Sequence, residues 1–223
     1  MNVSEAIDSR MSCRAFLRQP VEGDVVREIL EQAKRAPSGG NLQPSHVYAL
    51  AGEPLEEFLA IIQARLPSCP EGEGAEFDVY PKALKEPYRT RRYKCGEDLY
   101  ATINISRDNR PGRLQQFARN YALFDAPVML LFALDRQMGI GQWVDLGMFM
   151  QNIMLLARER GLHTCAQESW VVWHKSIEEF LQLPPELMLF CGMALGYRDE
   201  HAPINRLRTE RAQLEEFAEF RGL

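Results

Sequence analysis

The chain has 223 residues, of which 46% are hydrophobic, enough apolar material for one sizeable core. Its formal net charge of −5 argues against nucleic acid as the main partner, because proteins that bind phosphate backbones usually present a basic face. Its five cysteines are widely spaced and include no CxxC pair, which argues against both a disulfide framework and a zinc site.

The N-terminal segment does not look like a targeting signal. Residues 1–14 include Glu5 and Asp8 and contain no apolar run of signal-peptide length. No later stretch reaches the roughly 20 apolar residues that a membrane span needs. We therefore expect a cytoplasmic protein that makes no membrane contact.

The first 65 residues combine predicted helices with one strand. Apolar residues at helical spacing predict helices over 2–9, about 22–36 and about 54–65. Pro37 and the Ser-Gly-Gly that follows it end the second helix. The sequence HVYAL at 46–50 is typical of a strand.

Residues 66–113 lose clear periodicity and are rich in proline, glycine, tyrosine and charge. A stretch of this length without a strong pattern is usually either disordered or a functional lid. Aromatic residues are scarce in disordered segments, and this one contains Tyr80, Tyr88, Tyr93 and Tyr100. We predict a partly helical cover over an active site.

The second half contains the predicted central elements. Short apolar runs predict strands at 128–134, which we expect to be central, and near 187–195. The helix at 143–160 is apolar nearly all round, so it must run through the core or pack against a second subunit. A terminal helix is predicted at 212–220. Together these elements indicate an α+β sandwich with one mixed sheet, formed by residues 1–223 as a single domain.

Neither GxGxxG nor GxxxxGK[ST] follows a predicted strand, so any nucleotide must be held in another way. Three clusters stand out in this acidic chain, at 10–14, 37–44 and 205–208. Two arginines flanking a serine, as in Arg10-Met11-Ser12-Cys13-Arg14, can grip a phosphomonoester, and Arg206 and Arg208 could close on the same anion. The alternative is that these are ordinary surface arginines.

These motifs carry a family resemblance. Ser-Arg-Met-Ser-x-Arg-x-Phe at 9–16, followed about twenty residues later by Ala-Pro-Ser-Gly-Gly-Asn-Leu-Gln-Pro at 36–44, resembles the N-terminal signature of flavin nitroreductases. The resemblance extends over nearly the whole chain, through the segments at 125–127, 145–152, 161–165 and 196–208. It implies a three-layer sandwich, with a mixed central sheet flanked by helices, in an intertwined homodimer.

The resemblance also implies a set of FMN-binding residues. Those implied for the phosphate and ribityl end are Arg10, Met11 through its backbone, Ser12, Arg14, Arg206 and Arg208. Those implied to reach the flavin bound mainly to the other subunit are Pro37, Ser38, Gly39 and Asn41, whose small size suits a close backbone approach to a flat ring.

A third implied group lies at 166–170, where backbone N–H groups near Glu168 and Ser169, beside Gln167, face flavin N5 and O4. Fixed donors there would stabilise the negative charge that reduced flavin gathers. Relatives carry Pro and Gly at the positions of Ala166 and Ser169, so this chain departs from the pattern. Asn120 is a candidate for the pyrimidine edge.

The function implied by the resemblance is hydride transfer from NADH or NADPH, through FMN, to a nitroaromatic or related small electron-poor acceptor in a ping-pong cycle. The flavin carries the chemistry, so no catalytic side chain and no metal are expected. Enone reduction, reductive dehalogenation or flavin chemistry on the same fold, and a non-catalytic flavin-binding protein, are the alternatives. We interpret the four histidines as structural or surface residues, and Met148, Met150 and Met154 as core residues without cofactor contact.

Overall fold

The computed structural model describes residues 1–222. Its four strands are β1 (His46–Ala51), β2 (Val128–Asp135), β3 (His163–Gln167) and β4 (Leu187–Gly196). Its α-helices are α1 (Val3–Ser9), α2 (Gly23–Ala33), α3 (Gly52–Arg65), α4 (Tyr88–Ala101), α5 (Arg110–Ala118), α6 (Ile140–Glu159) and α7 (His174–Leu181). The helices and strands predicted before residue 66, the helix at 143–160 and the strands at 128–134 and 187–195 are thus confirmed, with α6 beginning three residues earlier.

The strands form one sheet in the order β1-β2-β4-β3, and each neighbouring pair is antiparallel. β2 is interior, as predicted, but the expected mixed sheet is replaced by an antiparallel one. Parallel pairing within the described residues is limited to a single bridge between Ser12 and Thr164, at the β3 edge. A continuous apolar strand indicates burial on two faces, and helices on both faces produce that pattern whatever the strand direction.

Two hydrophobic cores lie on opposite faces of the sheet, which gives the three layers. Side chains of successive strand residues point to opposite faces. Leu130 and Phe132 of β2 pack with α2 and α6, whereas Met129 and Leu131 pack with α3 and Trp170. Every residue of β2 from 128 to 134 is buried, as a strand covered on both faces requires.

A β-bulge interrupts the pairing of β2 with β4. Phe132 pairs with Cys191 and Ala133 with Leu189, so Phe190 is the extra residue. An extra residue reverses which face the following side chains meet. Leu189 accordingly lies in the core on the α3 face, and Cys191 lies in the core on the α6 face.

Gly192, two residues after the bulge, leaves room for the indole of Trp170. A Cβ at this position would lie 2.4 Å from Trp170 Cδ1. We expect Gly192→Ala to lower the free energy of unfolding by about 1–3 kcal/mol, because the buried indole has to shift. Urea denaturation measures this, with Gly141→Ala on α6, where a Cβ meets no atom within 4 Å, as the control. Equal midpoints for the two variants would contradict the close approach.

The predicted terminal helix at 212–220 is wrong, since this part of the chain contains only a short 3-10 turn at Leu214–Glu216. Its apolar side chains Leu214, Phe217 and Phe220 are exposed. A short helix gains most of its stability from packing an apolar face, and here the described residues provide no such packing. Within residues 1–222, the helices lack the combination of length and apolar character needed to cross a membrane.

Candidate active site

Two adjoining cavities share the side chain of Arg14. The central cavity, about 730 Å³, lies between the end of β3, α6 and residues 79–124. The cationic cavity, about 530 Å³, lies between the end of α1, residues 10–14 and the C-terminal tail at 207–211. Arg14 lines both, so a ligand in either cavity meets its side chain.

Positive charge dominates the cationic cavity. Four guanidinium groups line it against a single carboxylate, and the charged side chains are Arg10, Arg14, Arg208, Arg211 and Asp8. Burial, together with the positive charges of Arg211 and Arg208, lowers the pKa of Arg10. Such an excess of charge-assisted donors is suited to a phosphate group. Met11 and Ser12 also line this cavity.

Backbone hydrogen bonds hold the two arginine segments together. The Cys13 N–H donates to the Thr164 carbonyl at 2.9 Å, which fixes residues 10–14 beside β3. The Arg14 N–H donates to Asn205 Oδ1 at 2.8 Å, and Asn205 Nδ2 donates to the Ala15 carbonyl at 2.8 Å. The buried Asn205 side chain therefore ties the C-terminal segment to the N-terminal arginines.

The structure does not bring all the predicted anion-binding residues together. Arg206 is exposed at the end of a 3-10 turn and lines neither cavity. Arg211, which the sequence analysis did not single out, lines the cationic cavity instead. The tail reaches this position as irregular backbone, so helical or strand periodicity provided no signal for it.

Gln167, Glu168, Ser169 and Asn120 all line the central cavity. Gln167 Nε2 donates to the Asn120 carbonyl at 3.0 Å and to Asn120 Oδ1 at 3.1 Å. This leaves Gln167 Oε1 and Ser169 Oγ buried and without a hydrogen-bond partner among residues 1–222. Buried polar atoms are normally paired, so these two oxygens indicate that a polar ligand completes the site.

Glu168 brings a titratable carboxyl group into the same cavity. Burial raises the pKa of Glu168. A carboxyl group with a raised pKa keeps its proton to higher pH than an ordinary glutamate.

Apolar and aromatic side chains form the walls of the central cavity. They include Phe117, Tyr121, Phe124, Met150, Met154 and Phe190, and Gly147 leaves space between them. Met150 and Met154 line this cavity, while Met150 is also buried in the core on the α6 face and Met154 packs against that core, as predicted. That they make no cofactor contact stays a prediction. Gly147, Met150 and Met154 lie at i, i+3 and i+7 on α6, and this spacing places them on one face without indicating what the face contacts.

Residues 66–113 provide the outer wall of the central cavity, with Val79, Tyr80, Arg92, Leu99 and Tyr100 among its lining residues. Two cation–π contacts brace this wall. The Arg92 guanidinium lies 4.0 Å from the centroid of the Tyr80 ring, and the Arg113 guanidinium lies 4.4 Å from that of Tyr100.

The start of the 66–113 segment is fixed to the residues that follow β3 and the central cavity. The Glu73 N–H donates to the Val172 carbonyl at 2.6 Å, and the Glu73 carboxylate accepts from Ser176 Oγ at 2.6 Å and from Arg65 at 3.1 Å. Gly72, with φ +80°, passes so near Val172 that a Cβ would lie 2.5 Å from its side chain. These hydrogen bonds and close contacts hold the start of the 66–113 segment against Val172 and Ser176.

The predicted cluster at 37–41 lies away from both cavities within the single chain. The Gly39 N–H donates to the buried Asp145 carboxylate of α6 at 3.2 Å. Pro37 faces Val144, Gly147 and other residues of α6 across a separate surface depression. Ser38, Gly39 and Asn41 are likewise at the surface rather than in the central cavity.

A separate cluster of side chains has the residue types of a cation-binding site. Glu76, His174 and Glu178 place their ligand atoms within 4.8 Å of one another. The Arg136 guanidinium pairs with Glu76 and with Glu178, so positive charge already compensates these carboxylates. Their contacts fix residue 76 to α7.

His163, at the start of β3, makes stability sensitive to acid. Its Nδ1 lies 3.1 Å from Arg158 Nη1. Burial, with the positive charge of Arg158 as the next cause, lowers the pKa of His163 from 6.5 to about 3. The unfolded chain therefore takes up the proton first, and stability is lost as the pH falls from about 6.5 towards 3.

At about pH 4.5 we expect His163 to have lowered the free energy of unfolding by roughly 2–3 kcal/mol relative to neutral pH. We expect His163→Gln to abolish this decrease. Urea unfolding at neutral pH and at about pH 4.5 measures the difference. His201→Gln, at an exposed position, is the control and should keep the wild-type pH dependence. The same pH dependence in His163→Gln would show that this histidine is not responsible.

Comparison with known proteins gives a consistent result. The profile described as the Nitroreductase family matches residues 7–197. The chain is 37% identical over 218 residues to nitrobenzene nitroreductase of Ectopseudomonas oleovorans, covering 98% of this chain and 96% of the relative. It is 36% identical over 216 residues to 4-nitrobenzoate reductase of Pseudomonas putida, covering 97% and 94%.

A solved structure shows the same fold over its full length. The FMN and NADPH-dependent nitroreductase NfnB from Sphigopyxis sp. strain HMH superposes with a TM-score of 0.96 at 42% identity, and the match covers 100% of both chains. The profile match and these full-length relatives establish that the chain belongs to the nitroreductase family.

Proposed function

We propose that this protein is an FMN-dependent oxidoreductase that transfers hydride from NADPH or NADH to a nitroaromatic or related electron-poor acceptor by a ping-pong mechanism. The observation that carries the proposal is the pair of cavities that share Arg14 in their linings, one rich in guanidinium groups and the other with buried oxygens that have no hydrogen-bond partner among residues 1–222. A flavin mononucleotide has the same two parts, a phosphate and a flat polar ring. When bound, FMN supplies the hydride chemistry.

The chain's own residues hold the phosphate end and orient the ring. Arg10, Arg14 and Arg208 bind the phosphate, with the Ser12 hydroxyl and the Met11 backbone beside them, and Arg206 contributes charge from outside the cavity. Asn120, Gln167 and Ser169 meet the polar edge of the ring, with backbone N–H groups near Glu168 and Ser169 as donors. Fixed donors at this edge stabilise negative charge without having to reorganise.

The active species in this proposal is a homodimer. On α6, Ile140 is 87% exposed and Val144 is 60% exposed, in a helix whose other face is core. Large apolar side chains in a row on a helix normally pack against something. A second copy covers them and brings its Pro37, Ser38, Gly39 and Asn41 to the flavin held mainly by the first, because this cluster lies beside the same face of α6.

Residues 66–113 act as the cover of the active site, within a single domain formed by residues 1–223. Tyr80 and Tyr100 of this segment line the central cavity and exclude water from the reacting ring. The aromatic walls favour a flat, apolar acceptor, and the relatives named for nitrobenzene and 4-nitrobenzoate reduction suggest nitroaromatics. We place the protein in the cytoplasm, where reduced nicotinamide nucleotides are available.

The test is the visible spectrum of the purified protein, before and after reconstitution with FMN. We expect a flavin spectrum that NADPH or NADH bleaches under anaerobic conditions, and that nitrobenzene or 4-nitrobenzoate restores. A colourless protein that cannot be reconstituted would contradict the cofactor. Bleaching that is reversed by enones or halogenated aromatics but not by nitroaromatics would contradict the acceptor.

A further inference from the structure

A basic groove of about 930 Å³ lies within the 66–113 segment, next to the central cavity. All its lining residues come from 81–113, and five of them are cationic against two that are anionic. The charged residues are Lys82, Lys85, Arg89, Arg92, Arg113, Glu86 and Glu97. In a chain with a formal net charge of −5, this local excess of positive charge needs a cause.

The groove and the central cavity share a wall. Arg92 lines both, and its guanidinium stacks on Tyr80, which lines only the central cavity. Arg113 lines the groove and stacks on Tyr100, which lines the central cavity. These two cation–π pairs therefore lie between the groove and the central cavity, so the groove adjoins the proposed flavin site.

Internal ion pairs neutralise some of these cations. Arg89 pairs with Glu86 at 2.7 Å, and Arg113 holds both carboxylate oxygens of Glu97, at 2.7 and 2.8 Å. Lys82 lies 3.5 Å from the Asp78 carboxylate. Within residues 1–222, Lys85 and Arg92 form no ion pair, so their charges are available to a ligand.

We propose that this groove binds the phosphate groups of the reduced nicotinamide dinucleotide, through Arg92 and Lys85, and that it favours NADPH over NADH. The inference rests on the proposed function, in which the nicotinamide must reach a flavin in the central cavity. The remainder of the dinucleotide is too large for that cavity and carries the negative charge. A small aromatic acceptor fits inside the central cavity and leaves the groove empty, and the extra phosphate of NADPH adds a charged partner for the free cations.

The first test measures binding by calorimetry on the FMN-loaded protein, with 2′,5′-ADP and 5′-AMP as probes. We expect the combined variant Arg92→Gln and Lys85→Gln to raise the dissociation constant of 2′,5′-ADP by about 10- to 100-fold, since it loses two charged contacts. The effect on 5′-AMP should be several-fold smaller. Arg92→Lys keeps the charge and should therefore retain most of the affinity for 2′,5′-ADP that Arg92→Gln loses. If Arg92 acted only by stacking on Tyr80, Arg92→Lys would lose as much affinity as Arg92→Gln.

Arg91→Gln is the matched control, because Arg91 lies on the same helix but pairs with Glu216 of the tail and does not line the groove. It should bind 2′,5′-ADP like the wild type. An unchanged dissociation constant in the combined variant, or an equal rise in Arg91→Gln, would overturn the assignment.

The second test is kinetic and separates the nucleotide from an anionic acceptor. In the combined variant we expect kcat/KM for NADPH to fall by about 10- to 100-fold, with a smaller fall for NADH. Because Arg92 also lines the central cavity and Lys85 does not, the acceptors are compared in Lys85→Gln alone, where KM for nitrobenzene and for 4-nitrobenzoate should not change. In the combined variant, a rise in KM confined to 4-nitrobenzoate would overturn the proposal and assign Arg92 to the acceptor. If the wild type reduces nitroaromatics with NADPH and the combined variant behaves like it, the groove assignment fails and the proposed function stands. If the wild type does not reduce nitroaromatics, the proposed function fails, and calorimetry still tests whether the groove binds 2′,5′-ADP.

Discussion

Replacing Arg14 and Arg208 together by alanine is expected to weaken FMN binding by about 10²- to 10⁴-fold. A hydrogen bond to a charged group is worth roughly 1.5–3 kcal/mol, and about 1.4 kcal/mol corresponds to a factor of ten in the dissociation constant. Arg14 lines both cavities and Arg208 lines the cationic one. The double substitution therefore removes two of the four guanidinium groups of the cationic cavity.

Fluorescence titration of the apoprotein with FMN measures the change. The matched control is Arg27→Ala with Arg221→Ala, which removes the same charge from exposed positions outside both cavities. We expect this control to bind FMN like the wild type, because long-range effects of surface charges are screened by salt. FMN retention in the Arg14 and Arg208 variant equal to that of the control would remove the phosphate assignment.

Val144→Glu is expected to shift the protein from dimer to monomer, with at least a 100-fold rise in the dimer dissociation constant. A carboxylate placed in an apolar interface costs several kcal/mol unless it finds a partner, and a symmetric dimer contains the substitution twice. In the proposed dimer the 37–41 cluster of the partner reaches the flavin, so FMN retention should fall as the dimer dissociates. Analytical ultracentrifugation over a concentration series measures the first effect, and the bound flavin per chain measures the second.

Leu17→Glu is the control, since it introduces the same charge at an exposed apolar position, 44% accessible, outside α6. The control should remain dimeric. If Val144→Glu sediments as the wild type does, the exposed face of α6 is not the contact between protomers.

The two arginine segments come from opposite ends of the chain. The contact between the Arg14 N–H and Asn205 joins positions 191 residues apart, which brings residues 10–14 and the tail to one cavity. The fold therefore assembles this part of the site from both ends of the chain, on the edge of β3.

The sequence by itself determined the elements whose periodicity was strong, such as α2, α6, β2 and β4. Local spacing suffices for these, because a helix or strand pattern depends on neighbouring residues. The residue types at 10–14 and 205–208 predicted an anion-binding site, and the family resemblance added FMN and the polar segment at 167–169.

Only the tertiary structure decided strand direction, the place of the methionines and the geometry of the tail. A buried apolar strand has the same sequence pattern in a parallel and in an antiparallel sheet, so the pattern could not predict strand direction. The sheet expected to be mixed is antiparallel. Helical spacing groups Gly147, Met150 and Met154 on one face of α6 but does not state that a cavity lies there. Arg206, which was predicted to bind the anion, is exposed and lines neither cavity, whereas Arg211 lines the cationic one. Their positions depend on irregular backbone, which is fixed by distant contacts such as those of Asn205 and not by any local pattern.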